Sequence, residues 1–206
     1  MLISLNWLKD HVKLPEDLTA KEIGLKLTMS TVEIDGIRYL GETLENIFVG
    51  KIVKISPHPN ADKLRLVEID LGNEKENVVC GGSNLVDGML VVFAKVGAMA
   101  RRHGGGELVE IAETEIRGVK SRGMICASTE IGLEKIFPPQ SEKEILDLSQ
   151  YNFEVGATLA SAIEMDDALF EVDNKSITHR PDLWGHYGLA RELAALYGAK
   201  LKEYVL

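Results

Sequence analysis

Between Phe48 and Ile69 the chain alternates apolar and polar residues, breaks on Pro57-His58-Pro59, and then alternates again. Few arrangements accommodate that pattern. Phe48, Gly50, Ile52, Val53 and Ile55 precede the break, and Leu64-Arg65-Leu66-Val67-Glu68-Ile69 follows it, so the run reads as strand, rigid loop, strand. The two prolines fix φ and remove amide donors, while Asn60 and Asp62 can shape a turn through their own backbone. Such a loop is expected to present His58, Asn60, Lys63 and Arg65 at one edge of a sheet.

The β pattern continues from about Ile47 to Ser128, with Leu64–Leu71, Asn77–Cys80 and Met89–Val96, then weaker runs near 108–116 and 123–126. Gly72-Asn73, Gly81-Gly82, Asp87-Gly88 and Gly104-Gly105-Gly106 punctuate it. About five short strands in under a hundred residues favour an OB-type barrel over an immunoglobulin-like sandwich. The flanks are different. Ser4 and Thr19 are helix caps in waiting, the second inside a Thr-x-x-Glu capping box, and Thr31–Ile37 alternates as a strand. After the β region, Ala157–Met165 reads as a helix, Leu169–Val172 as a strand and Asp182–Tyr197 as a long helix ending at Gly198. The economical layout is α+β: a small split α/β domain with a barrel inserted into it. Its expected parts are residues 1–39, the inserted barrel at 40–151, residues 152–198, and a linker at 199–206.

Charge narrows the function classes. The chain of 206 residues carries a net charge of -9, which argues against a globally basic nucleic-acid binder but not against a local basic groove. Basic residues collect in three places: Lys51, Lys54, Lys63 and Arg65; Lys95, Arg101 and Arg102; and Arg117, Lys120 and Arg122 beside Ser121. Phosphates require such cations, with small residues that let backbone approach. Lysines on strand edges also keep sheets from pairing edge to edge, so surface solvation is the competing explanation. Phe48 and Phe93 fall at core positions, which disfavours base stacking and favours recognition of structured RNA by shape and backbone.

No catalytic constellation is evident. His11, His58 and His103 lack spaced carboxylate or cysteine partners, and Cys80 and Cys126 cannot by themselves make a disulfide framework or zinc site. No apolar run approaches membrane-spanning length and Met1-Leu2-Ile3-Ser4 lacks signal-peptide character, so a cytoplasmic location with reduced thiols and no membrane partner is expected.

Four ordered motifs carry a resemblance. Pro57-His58-Pro59-Asn60-Ala61-Asp62-Lys63-Leu64, Val79-Cys80-Gly81-Gly82-Ser83-Asn84, Arg117-Gly118-Val119-Lys120-Ser121-Arg122-Gly123-Met124 and Glu130-Ile131-Gly132-Leu133 are similar to the tRNA-binding OB domain of several aminoacyl-tRNA synthetases and free-standing tRNA-binding proteins. The flanks Met1–Asp10 and Asp173–Glu192 resemble the amino-terminal region of bacterial phenylalanyl-tRNA synthetase β subunits. That resemblance implies a non-catalytic region that contacts or positions tRNA. It implies tRNA, a catalytic α subunit and further β-subunit domains of an α2β2 enzyme as partners. It also implies ATP and magnesium for the full enzyme, with no cofactor in this region. The residues it points to are His58, Asn60, Lys63, Arg65, Arg117, Lys120 and Ser121, with Lys51, Lys54, Lys95, Arg101 and Arg102 as electrostatic support. Residues 40–151 hold 13 Lys and Arg against 17 Asp and Glu, which sets the expected contact as weak. A structural brace, with Trp184, Tyr187 and Arg191 at an interface, is the alternative. A free-standing tRNA-binding dimer would have no need of the α/β flanks.

Overall fold

The computed structural model describes residues 1–141 and 143–203 and divides them into two compact units, 1–40 with 166–206 and 41–165. The chain opens with β1 (Leu2–Ser4), α1 (Leu5–His11), β2 (Val12–Lys13), α2 (Ala20–Ser30) and β3 (Ile34–Tyr39). Both expected caps are present. Ser4 Oγ accepts from the Trp7 amide at 3.0 Å, and Thr19 and Glu22 exchange the two bonds of a capping box. Next come β4 (Ile47–His58), β5 (Ala61–Asp70), β6 (Lys75–Cys80), β7 (Leu90–Ala94), β8 (Met99–Arg101), β9 (Leu108–Glu110), β10 (Thr114–Ile116), β11 (Val119–Ser121), β12 (Met124–Ile125) and α3 (Leu159–Ala162). The chain then returns to the first unit through β13 (Ala168–Val172), α4 (His186–Tyr197) and β14 (Lys200–Leu201).

In the first unit β13 lies between β1 and β3, antiparallel to both. Ile3, Leu8, Ile23, Leu27, Phe170, Leu189 and Leu193 close the core between that sheet and the helices. The last helix is shorter than expected. Pro181–Leu183 forms a separate 3-10 turn, and α4 begins only at His186, because Gly185 at φ 137° breaks the helical path. Leu183, Ala190, Leu193 and Ala194 are buried as the stripe requires, while Tyr187 stays 41% exposed and Trp184 54% exposed. An ion network holds the 3-10 turn to α4. Asp182 takes two bonds from Arg180 at 2.9 Å and one from Arg191 at 2.6 Å, and the Arg180 guanidinium holds its carboxyl down to about 2.

In the second unit the order β12-β7-β4-β5-β6 makes one antiparallel sheet. β7 and the start of β4, Ile47 to Gly50, are covered on both faces. Val92 and Ala94 join Ile47, Val49 and Leu148 on one side, while Val91 and Phe93 join Ile52, Val67, Ile69 and Ile125 on the other. The sheet is not a closed barrel, since among the described residues its terminal strands β12 and β6 share no ladder. The segment between β11 and β12 links them instead. Ser121 Oγ accepts from the Val79 amide at 3.1 Å, the Arg122 amide donates to the Asn77 carbonyl at 3.2 Å, and Met124 and Ile125 pair with β7. Gly123 makes this crossing possible: at φ 116°, an added Cβ would lie 2.5 Å from the Phe93 ring and 2.7 Å from the Ala94 carbonyl.

The units divide after Met165, later than the boundary expected at 151. Main-chain bonds from Val49 to Ala157 and from Gly156 to Val49 tie this stretch to β4, and Leu159 is fully buried in the Ile47–Val49 core. Burying one such leucine contributes roughly 2 kcal/mol, enough to fix the segment to the β unit. Within this unit its two ends meet: a Cβ on Gly41 would lie 2.8 Å from the Met165 carbonyl oxygen. Within the other unit the Leu40 amide donates to the Asp167 carbonyl at 3.0 Å.

Candidate nucleic-acid interface

The proline segment is tighter than a loop. β4 runs on through Pro57 and His58, and only Pro59 and Asn60 turn the chain into β5. The pairing jumps from Pro57↔Arg65 to His58↔Ala61, so Asp62, Lys63 and Leu64 have no counterparts on β4 and form a bulge. The Arg65 guanidinium folds back on that bulge, donating to the Asp62 carbonyl at 2.9 Å and the Leu64 carbonyl at 3.0 Å. Lys63 is exposed at its centre.

His58 is not presented to solvent. It is 5% exposed, its Nε2–H donates to the Ile116 carbonyl at 3.1 Å, and its Nδ1 accepts from the Asn60 amide at 3.1 Å. A ring that donates at one nitrogen and accepts at the other is a neutral imidazole with its proton on Nε2. Ser121 is likewise buried, 2% exposed, and consumed by main-chain groups of Val79 and Gly123. The expected exposure of His58 at a sheet edge is corrected: the bulge and the crossing strand draw His58 and Ser121 inward, where they satisfy backbone groups.

The partner of the proline hairpin is the β10–β11 hairpin. Its turn, Arg117-Gly118, has φ 49° and 86°, the type I′ geometry whose twist suits a two-residue connection. Arg117 is a residue that rarely adopts this region, at a cost of about 1–2 kcal/mol. Asn60 offsets the strain: its Nδ2 donates to the Arg117 carbonyl at 3.0 Å, and the Arg117 guanidinium donates to the Asn60 carbonyl at 3.4 Å. The two hairpin tips therefore form a clasp, with Lys63 and Arg117 exposed on it.

The other predicted cations are dispersed, and two of them, Lys95 and Lys120, are ion-paired. Lys51 stands opposite Asp70 and Lys54 opposite Glu68 across β4 and β5, and Glu68 also binds Lys75 at 2.8 Å. Opposite charges facing each other across a ladder stabilise the sheet. Lys120 lies 3.6 Å and Arg122 3.2 Å from the same carboxylate, Glu113. Lys95 pairs with Glu74 and sits over the Phe48 ring at 4.5 Å. It follows Ala94, which pairs with Ile47 at the opposite end of β4 from the clasp. The intervening strand is on the order of 30 Å long. Arg101, half-buried on β8, and exposed Arg102 follow Lys95 closely in the chain and not the clasp. The first and third basic clusters meet at the clasp through Lys63 and Arg117, while Lys95 lies at the far end of β4.

The carboxylates that face or pair with these cations, Glu68, Glu74 and Glu113, escaped the sequence reading. Cross-strand register was the signal for the first of them. Also missed was an aromatic group of Phe137, Tyr151 and Phe153, with the last two stacked at 5.2 Å. Among the described residues no group of three or more His, Cys, Asp or Glu could hold a metal ion. Cys80 and Cys126 are free and buried, and burial pushes both thiols up.

The family model tRNA_bind, a tRNA binding domain, matches residues 47–151. The chain belongs to the tRNA binding domain family. All the sheet, both hairpins of the clasp and the Gly123 crossing lie inside the span that this family defines. Beyond it, the chain is 40% identical over 200 residues to the phenylalanine–tRNA ligase beta subunit of Leptospira borgpetersenii serovar Hardjo-bovis, covering 95% of this chain and 23% of that protein. It is 36% identical to the protein of the same name from Fusobacterium nucleatum, covering 98% of this chain and 24% of that one. The chain thus spans about a quarter of the length of these curated relatives. A solved structure of a MetRS related protein from Pyrococcus horikoshii matches 55% of this chain and 87% of its own, at 18% identity and a TM-score of 0.37.

Proposed function

We propose that this chain is the non-catalytic tRNA-contacting region of a phenylalanine–tRNA ligase β subunit, and that its β unit is an open OB-type barrel whose terminal strands are bridged by the β11–β12 crossing. The observation that carries the reading is the coincidence of the tRNA binding domain match at residues 47–151 with a unit whose motif residues build one clasp. Lys63 and Arg117 meet phosphates, Asn60 and Arg65 shape the surface beside them, and Lys51, Lys54, Lys95, Lys120, Arg101 and Arg102 supply a weaker, partly cancelled field. Contact of this kind positions tRNA backbone during aminoacylation without reading bases.

In this reading the partners are tRNA, a catalytic α subunit and the remaining β-subunit domains of an α2β2 enzyme in the cytoplasm. ATP and magnesium serve the full enzyme. Among the described residues no group of three or more His, Cys, Asp or Glu could hold that ion. No described helix is long and apolar enough to cross a membrane. The test is tRNA binding by the 206-residue chain across a salt series. Affinity falling with ionic strength supports the reading, and no binding at low salt refutes it.

One observation favours a second role for the α/β unit. Trp7 and Trp184 are 62% and 54% exposed, an unusual state for the side chain most enriched at interfaces. A bracing contact with another domain or subunit accounts for them.

A further inference from the structure

We infer that His58 is a positioning residue for RNA contact, acting through Arg117 rather than touching the ligand. The inference rests on the tRNA-binding reading above and deepens it. Among the described residues His58 is the one side chain that bonds both hairpins of the clasp. Its Nε2–H holds the Ile116 carbonyl, the residue before the β10–β11 turn, and its Nδ1 holds the Asn60 amide, in the turn of the proline hairpin. Asn60 then binds the Arg117 carbonyl, which completes a closed path His58–Asn60–Arg117–Ile116. Ser121 pins the far end of the same hairpin to β6 through the Val79 amide.

The geometry explains why a buried, neutral imidazole stands in the most polar stretch of the chain. Arg117 occupies a left-handed backbone position that it would not adopt unaided, and the two carbonyls that this turn directs at the proline hairpin, of Ile116 and Arg117, take bonds from His58 and Asn60. An imidazole with one donor and one acceptor on opposite sides satisfies both hairpins at once, and no aliphatic residue can. With the turn fixed, the Arg117 guanidinium rests against the Asn60 carbonyl with its remaining donors exposed on the clasp, where Lys63 is also exposed. Released, the same arginine remains charged but samples many directions. A phosphate contact made by an ordered cation then becomes a diffuse one.

The experiment is a double-mutant cycle on tRNA binding by the full chain, with unfractionated tRNA, at several salt concentrations. Arg117→Ala is expected to weaken binding roughly five- to tenfold at low salt and to lower the salt slope by about 0.7–0.9. His58→Ala is expected to do nearly the same, and the double variant no more than either single one. His58→Gln, whose amide nitrogen reaches as far as Nε2 and can donate to Ile116, should recover most of the affinity. Trypsin cleavage after Arg117, measured without tRNA, should quicken in His58→Ala and slow again in His58→Gln. Should His58→Ala fail to fold, Asn60→Ala replaces it, since that residue is exposed and breaks the same path. A folded His58→Ala that binds tRNA as the parent does, or effects that multiply with those of Arg117→Ala, overturns the positioning role alone. A parent chain that binds no tRNA overturns the functional reading and this role with it.

Discussion

Asn60 and Arg117, 57 positions apart in sequence, hold each other's carbonyls: the amide of one donates at 3.0 Å and the guanidinium of the other at 3.4 Å. This reciprocal pair sets the strained turn of one hairpin against the tip of another. It also places backbone strain and a candidate phosphate contact on the same residue.

Arg117→Asn should separate those two roles. Asparagine followed by glycine is the favoured type I′ pair, so relief of the left-handed strain should stabilise the fold by about 0.5–1 kcal/mol. The same change removes a cation, so tRNA affinity should drop while the urea midpoint rises. A variant that loses stability and affinity together would show that Arg117 is bound into the fold more deeply than its exposure indicates.

Cations of the β unit should differ in their effect on salt dependence. Among the described residues Lys63, Lys51 and Lys54 all lack an ion pair, but Lys51 and Lys54 stand opposite Asp70 and Glu68 across the ladder. Lys63→Ala should lower the slope of log affinity against log salt by about 0.7–0.9, and Lys51→Ala or Lys54→Ala by less than half as much. Equal slopes for the three variants would contradict the role given to the facing carboxylates.

Gly123→Ala should be severely destabilising. The added methyl meets both the Phe93 ring and the Ala94 carbonyl at under 3 Å, on a backbone that alanine disfavours. A loss of roughly 3 kcal/mol or more is expected from overpacking and dihedral strain combined, read as a lower denaturation midpoint of the β unit. Gly88→Ala is the control, being also at positive φ, 86°, but with open space around it.

The α/β unit should weaken on mild acidification. His186 accepts the Ser4 amide at Nε2, 2.9 Å away, which requires the neutral ring. Burial, and then the neighbouring His11, push its pKa down, against a smaller upward pull from Asp167. A base depressed in the folded state contributes stability that is complete above its unfolded value, about 6.5, and is lost as pH falls through the lower folded value. Thermal midpoints followed from pH 7.5 to 5 should fall in the parent. Much of that slope should vanish in His186→Gln, whose amide oxygen can accept from Ser4.

Neither thiol should react in the native chain. Cys80 and Cys126 are 6% and 0% exposed, and burial raises both above the ordinary thiol range. Treatment with a disulfide reagent at pH 8 should label fewer than a tenth of the sites until urea is added. Rapid native labelling would reveal local opening near β6 or β12.

Much of this architecture was legible beforehand, because local rules governed it. The Ser4 cap and the Thr19–Glu22 box need only neighbours within a turn of helix, and both formed as read. The β pattern of 47–128 followed from alternation and glycine turns. What sequence could not show was register. Whether Lys54 faces Glu68 depends on a bulge between Ile52 and Lys54, and a one-residue slip reverses every facing. His58 was misread for a related reason. A polar residue between two prolines looks exposed, and only the long-range Ile116 carbonyl makes its burial favourable. The start of α4 failed on Gly185, whose φ is a property of the tertiary path and not of the heptad stripe.

Placing β13 between β1 and β3 has a consequence for biogenesis. During synthesis the first two strands of that sheet emerge more than a hundred residues before the strand that must separate them. An unfolded intervening chain would impose the closure entropy of so long a loop. A folded β unit, whose Gly41 and Met165 ends already touch, reduces that search to a short gap. The β unit can therefore form before the sheet of the other unit is complete, and β13 can join β1 and β3 only once Ala168–Val172 has left the exit tunnel.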